Sequence, residues 1–469
     1  MSTISVKWNK QVFTDLEVDL TQDCALLKTQ LFSLTNVLPE KQKLLLKGKV
    51  LREGQSLQAA GVAQGATVML MGTAEALVEP TQQIRFVEDL TAAERARMFH
   101  EKEGIVLPAG LNNLGNTCYL NSTLQCLRRI SELRTALSAF RFTNPNDLSD
   151  MLTHTLALTF RGLESTGAAY TPLHFVTAVR QIFPQFNETD SEGNHKQQDS
   201  EEFLTSLLAS ISPKLQEDGQ SLIQKLMEVE FQTTFQCMEE TGEMPETRSE
   251  LGTKLMCIID NQSHPVDFLT DGIKVSLSGT VEKMSPVLGR NAVYSKEQAI
   301  SKLPAYLMVQ FVRFVWKQTS ASAGTKATRA KILRKVQYPA ILDAYDFCTP
   351  ELKQSLEVGR EMEKALRDEE LKEERKAPPT KQLATESELG IGLDTGAYKL
   401  VGVVTHKGRS AESGHYVGWT HFKDDEWVQY DDATTSHVNI SDVLQLSGGG
   451  DWHTAYILFY RKLQIVPRA

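Results

Sequence analysis

Hydrophobic and polar residues alternate with a period of two along Ser5–Asn9 and again along Gln11–Val18, on either side of a turn at Asn9–Lys10. Alternation gives each segment one apolar face, so the pair predicts a β-hairpin. After Thr21, which offers a helix N-cap, the apolar residues recur at helical spacing as far as Phe32. Two short strands then flank a glycine turn within Lys43–Leu51, and Ala66–Met71 returns to strand-like alternation. Farther on, Thr91–Glu94 fits a capping box that opens a short helix. Tyr119–Ile130 is apolar at helical spacing, and strand patterns follow His415 and end at Asp431. One stretch breaks the pattern: 16 of the 26 residues from Glu351 to Lys376 are charged. Such a run cannot bury itself and reads as a solvated helix or a disordered insertion.

The first 74 residues run strand, strand, helix, strand, strand, which is the β-grasp order. Leu44–Lys49 resembles ubiquitin closely, so this unit is similar to a ubiquitin-like domain. It continues past Met71 with no terminal Gly-Gly and therefore resembles a built-in docking module, not a conjugated modifier. Its eight basic and six acidic residues give a net charge of +2 over residues 1–74, against −9 for the whole chain. The resemblance puts Leu45, Met69 and Met71 on the strand face that ubiquitin uses for binding. Alternate burial along strands leaves a core role open for each.

At 469 residues the chain is too long for one compact core. With 41% hydrophobic and 23% charged residues it has the composition of a globular protein. The acidic balance disfavours nucleic acid or an anionic membrane surface as a general partner. No apolar run reaches the length of about 18 residues that a membrane span needs. The six cysteines are scattered, with no Cys-x-x-Cys pair. That predicts reduced thiols in the cytoplasm or nucleus and no structural zinc.

The segment Gly110–Leu127 carries the clearest chemistry. A Gly/Asn-rich loop feeds a helix, with Asn116 as the expected N-cap and Cys118 in the first turn. A helix N-terminus favours the thiolate, which is the reactive form. Asn113, upstream in the loop, could donate an amide hydrogen bond to a developing oxyanion. A cysteine nucleophile also needs a base and a group to orient that base. His415 is flanked by Gly414 at the start of a strand, and Asp431 and Asp432 end another. Pairing of these strands would bring either aspartate beside the imidazole, and spacing does not choose between them.

The cysteine segment, the Gly414–Val417 segment and the aromatic–Asp–Asp segment, in this order, resemble the ubiquitin-specific proteases, a family of papain-like cysteine peptidases. Gln197–Leu204 is similar to the family's second signature, and Tyr306–Phe314 to its core strand. The resemblance spans roughly residues 105–463 and implies an α+β protein. Its parts would be a β-grasp domain (1–75), a linker (76–104) and a thumb, palm and fingers catalytic domain (105–465) with a charged insertion near 351–395. It implies Cys118 as nucleophile, His415 as general base and then acid, and Asp431 as the orienting group. Asn113 and the Cys118 amide would form the oxyanion hole. Gln197, Gln198, Asp199, Phe314, Ser413, Tyr416 and Tyr456 would line the channel for ubiquitin's C-terminal tail. Phe314 and Tyr456 could equally be plain core, and Asp199 a helix cap. No metal or organic cofactor is implied.

An N-terminal ubiquitin-like domain on such a peptidase, without zinc pairs in the fingers, resembles the proteasome-associated branch of the family. This implies ubiquitin and ubiquitinated proteins as substrates and the 26S proteasome regulatory particle as partner of the ubiquitin-like domain. It also implies weak activity in the free enzyme, where loops occlude the tail channel. The loop before His415 here carries Glu412 where that branch has serines, and the small-residue loop after Phe314 reads as mobile without a ligand. Two rivals remain: a ubiquitin receptor with a vestigial site, and a peptidase for another ubiquitin-like modifier.

Overall fold

The computed structural model describes residues 2–35, 37–73, 106–165, 167–259, 265–317, 328–374, 392–410, 413–450 and 452–465. The chain divides into two compact units, Met1–Asp89 and Leu90–Ala469. The expected linker helix at Thr91–Glu94, most of the loop after Phe314, and Glu412 lie outside the described residues.

The first unit is a five-stranded sheet in the order Gln11–Val18, Ser2–Trp8, Thr67–Met71, Lys43–Leu46, Lys49–Val50. The predicted hairpin forms, with Trp8 opposite Gln11 and Asn9 in the left-handed region at φ 52°. The helix Cys24–Thr35 supplies Leu27 and Leu31 to a core shared with Ile4, Val6, Leu44, Val68 and Leu70. Asp23, not Thr21, meets the start of this helix, accepting the Ala25 N–H at 2.6 Å. Thr21 instead donates from its N–H and hydroxyl to Asp19. The alternation that buries Val68 and Leu70 leaves Met69 and Met71 about half exposed, at 48% and 53%. Leu45, directly opposite Met69, is half-buried.

In the second unit, six helices between Cys118 and Met227 form the layer that carries the cysteine. They pack through Leu120, Leu124, Leu156, Phe175 and Phe203 on a ten-stranded sheet. The main path of that sheet runs Leu255–Ile258, Tyr306–Val312, Thr454–Ile465, Leu393–Ser410, Ser413–Lys423, Glu426–Asp431, Thr434–Asn439. A separate four-stranded antiparallel sheet, Ser278–Met284, Asn291–Lys302, Val229–Cys237 and Glu246–Gly252, projects as the fingers. Thumb, palm and fingers thus follow from one helical layer, one large sheet and one small one.

The charged run is a helix, Pro350–Glu374, and not wholly solvated. Leu356 is buried, and a Cβ at Gly359 would lie 2.2 Å from the Asp394 carbonyl oxygen. Leu356 and this glycine therefore dock the helix on the sheet, and Arg360 adds a donation to Asp343 and to the Thr395 carbonyl. Arg313 is a cation taken into the interior, at 1% exposure. Its guanidinium donates to the carbonyl oxygens of Ala455, Ile332, Arg334 and Ser447 at 2.7–3.2 Å. Burial pulls its pKa down to about 10, which still leaves it charged at neutral pH. Arg313→Met leaves four carbonyls without this donor and should cost on the order of 3 kcal/mol, read by urea unfolding of the catalytic unit.

Candidate active site

The loop ahead of Cys118 is folded by its own side chains. Gly115 and Asn116 take positive φ values of 87° and 52°, turning the chain into the helix Cys118–Leu127. The N-cap is Thr117 and not Asn116 as expected; the left-handed backbone of Asn116 turns its side chain away from the helix. Asn116 instead donates to the His195 carbonyl at 2.7 Å and accepts from Gln197 at 3.3 Å. Cys118 is consequently the first helical residue, where the peptide dipoles favour a negative sulfur.

Its side chain is fully buried, at 0% exposure. The Tyr416 N–H donates to Sγ at 3.5 Å, and the Gln197 amide sits 3.6 Å from the same sulfur. Gln197 also donates to the Gly414 carbonyl at 2.8 Å, so it bridges the cysteine layer and the histidine strand across the site.

His415 reaches the site because its strand, Ser413–Lys423, pairs with Leu393–Ser410 on one side and Glu426–Asp431 on the other. Its Nε2 lies 2.6 Å from Asp431 Oδ1, which leaves Nδ1 for the Cys118 sulfur. The hydrogen bond to Asp431, then the one to Cys118, raises the imidazole pKa to about 10 against the opposing effect of burial. The same contact holds Asp431 below the ordinary carboxylate range. A lasting imidazolium between a carboxylate and a sulfur is the electrostatic requirement for a thiolate nucleophile.

Geometry separates the two aspartates. Asp432 has φ 49° and turns away from His415 toward the cysteine loop. Its carboxylate accepts from Asn113 Nδ2 at 2.8 Å and Asn121 Nδ2 at 2.7 Å, and its carbonyl from the Leu111 N–H at 2.8 Å. Asn113, the expected oxyanion donor, therefore directs one amide hydrogen at Asp432, while its Oδ1 accepts from the Gly115 and Thr117 N–H groups. His415, Asp431 and Asp432 place ligand atoms within 4.8 Å of one another. Since each already meets a protein partner, they read as a hydrogen-bonded relay more than a metal cage.

The seven expected channel residues divide in two. Ser413 is exposed, and Gln197, Gln198 and Phe314 are half-buried at the surface. Asp199, Tyr416 and Tyr456 are buried at 7%, 1% and 2% exposure. Asp199 both caps the helix Ser200–Ile211 and accepts the Tyr456 hydroxyl at 2.9 Å, so its carboxylate faces inward. Phe314 packs edge-on against Tyr456, centroids 5.2 Å apart, and the three buried side chains form a floor beneath the surface group.

Sequence reasoning passed over Asn121, His406 and His453. His406 packs tilted against Tyr416 and edge-on to Phe314, and burial drops its pKa to about 3. His453 is held down to about 4 by burial and then by the nearby His415 cation. Both back the site as neutral rings. Neither has a flanking signature in sequence; only the long-range folding reveals them.

The Ubiquitin carboxyl-terminal hydrolase family matches residues 109–460, a stretch that contains every one of these groups. The chain belongs to that family. The Ubiquitin family matches residues 3–75, over the first unit. Similar proteins include Ubiquitin carboxyl-terminal hydrolase 7 of Arabidopsis thaliana, 40% identical over 98% of this chain and 99% of the relative. Ubiquitin carboxyl-terminal hydrolase 6 of Schizosaccharomyces pombe is 37% identical over 99% and 100%. Ubiquitin carboxyl-terminal hydrolase 14 of Caenorhabditis elegans is 33% identical over 98% and 93%. This family member is a thiol-dependent deubiquitinating peptidase with an N-terminal ubiquitin-like domain on an α+β catalytic domain.

The pKa of His415 lies above its ordinary value of 6.5, so its stabilisation is complete below that value and is lost as pH rises through about 10. Asp431→Asn removes the principal cause, and the titration midpoint of His415 by NMR should fall toward 6.5. The alkaline edge of thiolate–imidazolium reactivity with iodoacetamide should move down with it. Asp432→Ala removes the carboxylate that accepts from Asn113 and makes the shortest of the Asn121 contacts, and should cost about 1–3 kcal/mol in urea unfolding, the range for one lost buried partner.

Proposed function

We propose that this peptidase hydrolyses the isopeptide bond after ubiquitin's terminal glycine, docks on the 26S proteasome regulatory particle through its ubiquitin-like domain, and is weakly active until docked. Cys118 Sγ attacks the glycine carbonyl while His415 holds the proton taken from the thiol. The Cys118 N–H and the free amide hydrogen of Asn113 receive the oxyanion. His415 then protonates the departing lysine amine, and water, deprotonated by the same imidazole, releases ubiquitin from the acyl-enzyme. Asp431 keeps the ring oriented throughout.

One observation carries the gating: Cys118 has no exposed surface, and Gln197 ties its layer to Gly414 directly ahead of His415. An extended peptide tail cannot reach a buried sulfur until that bridge opens. Support for docking comes from Met69, Met71 and Val50, whose exposures near 50% put an apolar face on a net-positive domain. Six free cysteines favour a reducing compartment, hence a cytoplasmic or nuclear location.

Ubiquitin bearing a thiol-reactive C-terminal group should label the enzyme weakly alone and at least about tenfold faster with proteasome, a barrier change of about 1.4 kcal/mol. Cys118→Ala should abolish labelling. Deleting residues 1–75, or replacing Met69 and Met71 by aspartate, should remove the proteasome effect and spare the basal rate. Equal labelling with and without proteasome would reject the gating, and no labelling under either condition would favour a ubiquitin receptor.

A further inference from the structure

The loop that delivers the nucleophile bends through two consecutive left-handed residues, Gly115 and Asn116. Backbone in that conformation persists only where its surroundings over-determine it, and beside a glycine a peptide rotates most cheaply. The holding group comes from outside the loop. Arg180, in the last turn of the helix Leu173–Ile182, donates from Nη2 to the Leu114 carbonyl at 3.1 Å and to the Gly115 carbonyl at 3.0 Å. Phe175, Val176 and Val179 anchor that helix in the core of the cysteine layer. Among the described residues, both hydrogen-bond partners of the guanidinium are carbonyls and neither is a carboxylate, and its Nε is buried without a partner. Keeping a half-buried cation on such terms costs free energy, so its place against this one loop calls for an explanation beyond solubility.

We propose that Arg180 is a positioning residue for the oxyanion donor: it fixes the peptide between Leu114 and Gly115, and through that peptide the side-chain amide of Asn113. The inference rests on the role given to Asn113 in the proposed reaction. A trans peptide points its C=O and its N–H in opposite directions. With the Leu114 carbonyl held by Arg180, the Gly115 N–H is aimed at Asn113 Oδ1, 3.0 Å away. The Thr117 N–H meets the same oxygen at 3.2 Å. Asn113 Nδ2 gives one hydrogen to Asp432 at 2.8 Å, so a planar amide tied at both ends has its second hydrogen set in one direction. Were the Leu114–Gly115 peptide to turn over, Oδ1 would lose a donor and the amide its alignment. An oxyanion hole works because its donors are fixed before the charge develops. The plainer role for Arg180, a cation facing the carboxyl end of its own helix, has no link to Asn113.

The test uses the full chain hydrolysing ubiquitin that carries a fluorogenic amide at its C-terminus. Asn113→Ala should lower kcat by about a hundredfold, the size of one lost oxyanion donor. Arg180→Gln should lower kcat by about tenfold with KM unchanged, because the amide is loosened and not removed. Alkylation of Cys118 by iodoacetamide displaces iodide and builds no oxyanion, so Arg180→Gln should leave its rate as it is. In the Asn113→Ala background, Arg180→Gln should cost less than about twofold, since residues acting through one another are not additive. Arg180→Lys keeps the charge and one donor and should recover part of kcat; it carries the same comparison if the glutamine variant fails to fold. A full tenfold loss in the Asn113→Ala background, or a fall in alkylation that parallels kcat, would overturn the inference. So would an unchanged kcat in Arg180→Gln while Asn113→Ala is slow, which leaves the oxyanion role of Asn113 standing. An unchanged kcat in Asn113→Ala alone would reject that role and this inference with it.

Discussion

The carboxylate of Asp432 is the joint on which the active site turns. Two asparagines from the cysteine segment, Asn113 and Asn121, donate to its two oxygens, and the Leu111 N–H meets its carbonyl. The approach is so close that a Cβ on Gly110 would stand 2.5 Å from the carbonyl oxygens of Asp432 and Ala433. Helical layer and sheet are thereby locked in register beside Asp431, which orients the histidine. A nucleophile and a base carried by different layers need such a lock, because an error of about 1 Å between them costs a large factor in rate.

The same geometry accounts for how the protein tolerates a reactive thiol. Cys118 is aligned by the helix and by His415, yet it is shielded by Gln197 and the Tyr416 backbone. The other five cysteines are buried too, and burial pushes Cys126, Cys257 and Cys348 up to about 12. Those three thiols stay protonated at neutral pH, which leaves them out of thiolate chemistry. The neutral rings of His406 and His453 behind the site add no competing cation.

Local features were legible in the sequence. The alternation of Ser5–Asn9 and Gln11–Val18, the apolar period after Cys118 and the glycine ahead of His415 all mark elements that the structure contains. Caps were read less well: Thr21 and Asn116 have the right chemistry, but Asp23 and Thr117 occupy the positions, because backbone conformation and competing partners decide among adjacent polar residues. The choice between Asp431 and Asp432 lay in a single φ value that neighbouring identity cannot report. The burial of Asp199, Tyr416 and Tyr456 was not readable for a related reason. Their burial arises from contacts across 257 positions of the chain, as between Asp199 and Tyr456, which no local pattern encodes.

The strand Thr454–Ile465 follows every other described strand in sequence, yet it lies inside the large sheet, between Tyr306–Val312 and Leu393–Ser410. A ribosome delivers it after all its neighbours. Until it arrives, two flanking strands present unpaired edges, and Arg313 lacks the Ala455 carbonyl it requires. Synthesis from the N-terminus thus yields the ubiquitin-like domain early and the catalytic domain only at the final insertion. A chain stalled before that strand would be a client for chaperones, with its recognition module folded and its chemistry not yet assembled.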